Sequence, residues 1–101
     1  MILLESIIDN NSSLLTVQFN VAVLRHLQSK VNDNLLLFQC GFNKRHFILV
    51  KADNGYKIRR VPNVKKLYQI NIKHRFDLQY EHSLSECIYF KKKNGTIRLK
   101  F

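Results

Sequence analysis

The spacing of apolar residues changes once along the chain, from a helical period to a strand-like one, and that change limits the folds open to it. In the first third, Leu14, Val17, Val21, Leu24 and Val31 recur at three-, four- and seven-residue intervals, with Leu27 beside the stripe. The stripe predicts an amphipathic helix running to about residue 31. Before it, Asn10-Asn11-Ser12-Ser13 offers side-chain oxygens to the free N–H groups of a helix start. Arg25, His26 and Lys30 fall in the later turns, where cations meet the carbonyl end of the helix dipole. Asn32-Asp33-Asn34 ends the helix, or Leu35–Phe38 prolongs it.

From Phe47 onward the period is that of strands. Phe47–Val50 is an apolar run of strand length, and Asp53-Asn54-Gly55 separates it from Tyr56–Val61. An Asn-Gly pair between two such runs predicts a hairpin, because both central residues of a type I′ turn need positive φ. Pro62 removes a ladder donor and ends that strand. Tyr68, Ile70 and Ile72 alternate with polar residues, as do Phe76, Leu78 and Tyr80, and His82–Ser85 reads as a loop. A second hairpin is expected at Asn94-Gly95. A two-residue turn there sets Phe90 opposite Leu99, Ile88 opposite Phe101 and Lys91 opposite Arg98.

The expected fold is therefore α+β. A single domain of residues 1–101 has an N-terminal segment (1–13), a mainly helical part (14–38) and a β-rich basic part (47–101). The helix packs on an antiparallel sheet of about five to six strands with two Asn-Gly hairpins.

Charge follows the same division. The chain carries 17 basic and 7 acidic residues, a net charge of +10. Residues 1–40 hold two of the basic and three of the acidic residues, so the whole excess lies in residues 41–101. A basic surface of this kind attracts nucleic acid, anionic lipid, cell-wall polymer or an acidic protein. The candidate polyanion-binding residues are Lys57, Arg59, Lys91, Lys93, Arg98 and Lys100; the alternative is that such charges merely guard a sheet edge. Tyr56, Tyr68, Phe76, Tyr80 and Tyr89 interleave with Lys and Arg, and either stack on bases or line the buried face.

No catalytic, cofactor-binding or metal motif is found. His26, His46, His74 and His82 lack ligand spacing, and the three glycines stand apart. Cys40 and Cys87 form no CxxC and read as two buried thiols. No transmembrane run and no signal peptide is seen, so the chain as written is expected to be soluble.

Several segments together resemble a known family. They are Leu24–Asp33, Lys57-Ile58-Arg59-Arg60-Val61, Leu67–Phe76 and Ile88–Ile97 with its Asn94-Gly95. Their order is similar to the globular part of the minor pseudopilins of Gram-positive competence machinery, of ComGF type and next of ComGD type. The resemblance covers about residues 20–101. Leu3-Leu4-Glu5-Ser6 is similar to the segment around a prepilin cleavage site, but Asp9–Ser13 interrupts the apolar helix that follows it in pilins. The resemblance implies a non-enzymatic assembly component of a DNA-uptake pseudopilus. Other pseudopilins would be its partners, with Val17, Val21, Leu24 and Val31 as candidate packing residues. It would be cell-surface or membrane-associated if an N-terminal helix precedes the chain. The residues alone also allow a small basic nucleic-acid-binding protein, or a phage or mobile-element protein that inhibits a host factor. No small-molecule substrate is expected.

Overall fold

The computed structural model describes residues 1–9, 12–74 and 81–100. It is mostly β. In chain order the elements are β1 (Ile2–Asp9), β2 (Ser12–Asn20), α1 (Val21–His26), β3 (Asn34–Gln39), β4 (His46–Lys51), β5 (Tyr56–Lys57), β6 (Arg59–Arg60), β7 (Leu67–His74), β8 (His82–Glu86), β9 (Ile88–Lys91) and β10 (Ile97–Lys100). They form two five-stranded sheets, β6-β7-β2-β1-β8 and β5-β3-β4-β10-β9, and every pairing is antiparallel.

Two strands cross from one sheet to the other. Tyr56–Lys57 pairs with β3, and after Ile58 the chain continues as Arg59–Arg60 against β7. His82–Glu86 pairs with β1, and after Cys87 it continues as Ile88–Lys91 against β10. Both crossing residues are buried, and both keep backbone hydrogen bonds. Ile58 N–H donates to the Asp33 carbonyl at 2.8 Å and Cys87 N–H to the Ile2 carbonyl at 3.0 Å. An edge of each sheet thus runs into an edge of the other at two places, and the two sheets face each other across one core. The core inside is shared. Leu4, Leu15, Val17, Phe19, Ile70 and Ile72 enter it from one sheet, and Leu35, Leu37, Phe47, Leu49, Ile97 and Leu99 from the other.

The expected N-terminal helix on a sheet is not formed. Residues Ser12–Asn20 are strand β2, and Leu35–Phe38 belongs to strand β3 rather than to a prolonged helix. Among the described residues only Val21–His26 is α-helical, capped by Asn20, whose Oδ1 accepts from Val23 N–H at 3.4 Å. The reason lies in a second period that shares Val17 with the helical stripe. Leu15, Val17 and Phe19 alternate with Leu14, Thr16 and Gln18, and the first set is fully buried. As a strand, the segment pairs with β1 from Ile2↔Phe19 to Asp9↔Ser12 and with β7 from Ser13↔His74 to Asn20↔Leu67. A ladder on both flanks outweighs the helical propensity of a short amphipathic run. Ser12 and Ser13 open this strand instead of capping a helix; Asn10 and Asn11 lie outside the described residues.

Neither Asn-Gly turn takes the expected form. Asn54-Gly55 makes no hairpin, because β4 and β5 do not pair; both pair with β3, which lies between them. The 52–55 connection passes across β3, where Ala52 N–H donates to the Asn34 carbonyl and Asn34 Nδ2 to the Asp53 carbonyl. Gly55 is needed there for close approach, since a Cβ would collide with the Leu35 carbonyl. Asn94-Gly95 does turn a hairpin, but with three loop residues. Gly95, at φ +84°, donates to the Lys92 carbonyl, and Lys92 N–H bonds the Thr96 carbonyl. The extra residue shifts the register by one, so Lys91 faces Ile97 and Arg98 faces Phe90. The expected strand around Ile70 is β7, whereas His82–Ser85, read as a loop, lies in β8. The expected strand at Phe76–Tyr80 and the pairing of Phe101 lie outside the described residues. Among the described residues, no helix is long and apolar enough to cross a membrane.

The close approach at Gly55 gives a direct test. Gly55→Ala is expected to lower stability by roughly 1–3 kcal/mol in urea titration, the cost of forcing atoms into filled space. Gly41→Ala, where a Cβ meets nothing, is expected to leave the midpoint unchanged.

Candidate nucleic-acid interface

The outward face of β3-β4-β10-β9 is built by the same alternation that fills the core. Leu35, Leu37, Phe47, Leu49, Ile97 and Leu99 point inward, so the residues between them point out. Register then sets them in rows. Phe38 lies opposite Ile48, Ile48 opposite Arg98, and Arg98 opposite Phe90. In the next row His46 lies opposite Lys100, and Lys100 opposite Ile88. Phe38, Phe90 and Ile88 are 52%, 55% and 60% exposed, which is unusual for large apolar side chains on a sheet with a filled inner face. Phe42, in the β3–β4 connection, is fully exposed.

The electrostatics of this face are basic. Arg98 Nε donates to His46 Nδ1 at 3.2 Å, a bond that requires the imidazole to be neutral at that nitrogen. Partial desolvation, then the Arg98 guanidinium and the Lys100 ammonium, hold the His46 pKa below its ordinary value. The hairpin turn borders the face at one end. A cleft of about 440 Å³ there is lined by Ile48, Lys92, Lys93 and Arg98, among others.

Of the six basic residues singled out by sequence, Arg98 and Lys100 share this face and Lys93 stands at its border. Lys91 is exposed but lies on the other side of β9 from Phe90, the consequence of the shifted register. Lys57 and Arg59 are exposed on the strand that crosses between sheets, outside these rows. The tyrosines Tyr56, Tyr68 and Tyr89 pack against the core, with Tyr89 Oη accepting from the Met1 amino group at 2.9 Å and Arg60 stacked 5.6 Å from the Tyr68 ring centroid. Phe76 and Tyr80 lie outside the described residues. On these strands Phe38 and Phe90 face solvent, and sequence reading missed both. Phe38 sits in an unbroken apolar run, and Phe90 was paired with Leu99 by the two-residue turn.

The expected partner-packing stripe is dispersed. Val17 and Leu24 are buried in the core, and Val21 and Val31 are half-buried. Both cysteines are free thiols. Cys87 is buried, and desolvation pushes its pKa up to about 11, while Cys40 is only half-buried. No family model, curated protein or solved structure matches the chain.

His46 makes stability depend on pH. Its pKa is lower in the folded state than the unfolded value of 6.5, so its contribution is fully present above pH 6.5. That contribution is lost as pH falls through the folded value. Urea midpoints measured down through this window are expected to decline in the wild type and to decline less in His46→Gln.

Proposed function

We propose that this chain is a non-enzymatic protein that binds single-stranded nucleic acid on the outward face of β3-β4-β10-β9. The observation that carries the reading is the row Phe38–Ile48–Arg98–Phe90, two half-exposed rings with a guanidinium between them. Every base has a π-face, so exposed rings on a sheet accept successive bases whatever the sequence, while cations between and beside them meet the phosphates. Phe38 and Phe90 stand three interstrand steps apart, about 14 Å, far enough for each to take a different base of one extended strand. Arg98 and Lys100 supply phosphate contacts inside that span, and Lys93 continues them at the turn. The assembly-component expectation lacks comparable support, because Val17 and Leu24 of the stripe meant to dock other pseudopilins are buried in the core.

Fluorescence anisotropy with a short labelled oligothymidine tests the reading. Affinity is expected to fall steeply between roughly 50 and 200 mM salt, and Arg98→Gln with Lys100→Gln to reduce the slope of log K against log salt by about 1.4, at 0.7 per phosphate contact. Phe90→Ala and Phe38→Ala are each expected to cost ~1–3 kcal/mol with the slope intact. Lys57→Gln, off the face, serves as the control. Absence of binding at low salt, or equal losses from Lys57 and Arg98 substitution, would overturn the assignment.

A further inference from the structure

We infer that the cleft between α1 and the Lys92–Thr96 turn receives a terminal phosphomonoester, the phosphorylated end of a strand bound on the sheet face. This rests on the reading above and adds to it which part of the strand the protein recognises. The turn has a cleft on each side. One opens onto the aromatic row at Arg98; the other, about 620 Å³, lies between the turn and the end of α1. Lys92, Lys93, Asn94 and Thr96 line both. A strand that crosses the row to Arg98 and leaves it toward the turn therefore passes from the first cleft into the second.

There the path meets a wall. Arg25, His26 and Gln28 from the end of α1 line the far side, and the His26 ring Nε2 lies 2.9 Å from the Thr96 carbonyl, tying helix and turn together. The turn itself is braced, because Asn94 Oδ1 accepts from both the backbone N–H and the hydroxyl of Thr96, at 3.1 and 2.6 Å. A pre-set cleft with helix residues along its far side suits the end of a strand better than a link within it.

Charge selects the same ligand. No carboxylate lines the cleft, and among the described residues Arg25, Lys92 and Lys93 engage no acidic side chain. Lys51, also in the lining, is engaged elsewhere. Its Nζ donates to the Gln28 carbonyl at 2.9 Å and pairs with Asp33 at 3.7 Å, which offsets the negative carbonyl end of α1 where it borders the cavity. Three cations with no acidic partner among the described residues are more than a diester monoanion requires, and they match a terminal phosphate of charge near −2.

The test compares one oligothymidine sequence in three forms, with a 5′-phosphate, with a 3′-phosphate, and with hydroxyls at both ends, by anisotropy at fixed salt. One phosphorylated form is expected to bind about tenfold tighter than the hydroxyl form, the worth of one added charge-assisted contact. Arg25→Gln, which touches the second cleft alone and keeps a good helix former, is expected to erase that preference and leave the hydroxyl form's affinity unchanged. Equal binding of all three forms by the wild type, or a preference that survives Arg25→Gln, would overturn the inference and leave the sheet-face reading standing. Failure of all three to bind would overturn both.

Discussion

The structure depends on two residues that pass between the sheets. Ile58 and Cys87 each sit at the point where a strand leaves one sheet and enters the other, and each is buried against the core it joins. Replacing either by a polar residue would place an unpaired group in a dry interior, at a cost of about 1–3 kcal/mol. The crossings join the two sheets around one core. The strands on either side of Ile58 are two residues each and cover only Asn34–Leu35 of β3 and Tyr68–Gln69 of β7.

One face is suited to meeting a partner. The inner positions of β3, β4, β9 and β10 are committed to the core, while the outer positions carry phenylalanines, isoleucines and cations in cross-strand register. Arg98 links the pieces. It stands between Ile48 and Phe90, bonds His46, and lines the cleft that leads to the turn. The single positive-φ glycine at the turn, Gly95, matters for the same reason. By adding one loop residue it turns Phe90 outward beside Arg98; with a two-residue turn Phe90 would face Leu99 in the interior.

Local patterns were legible where one period stood alone. The alternation of Ile70 and Ile72 and the apolar run at Phe47–Val50 mark real strands. The failures came where two periods overlapped or where pairing was distant. Val17 belongs both to a helical stripe and to the Leu15-Val17-Phe19 alternation, and only its neighbours decide between them. Those neighbours are Leu4 of β1 and Ile70 of β7, the latter more than fifty residues away. Likewise Asn54-Gly55 has hairpin composition, but β3 inserts between the strands it would join. Basic residues could be read from composition. Which of them share a face could not, because a one-residue loop difference decides it.

The central claim is that recognition belongs to one sheet face. Amide and methyl chemical-shift mapping by NMR during titration with oligothymidine tests it most directly. The account predicts that the largest changes fall on Phe38, Ile48, Phe90 and Arg98 and extend to Lys92–Thr96, with the outward residues of β1, β2 and β7 unmoved. Changes centred on Arg59, Arg60 and β7, with the Phe38–Phe90 row silent, would contradict it.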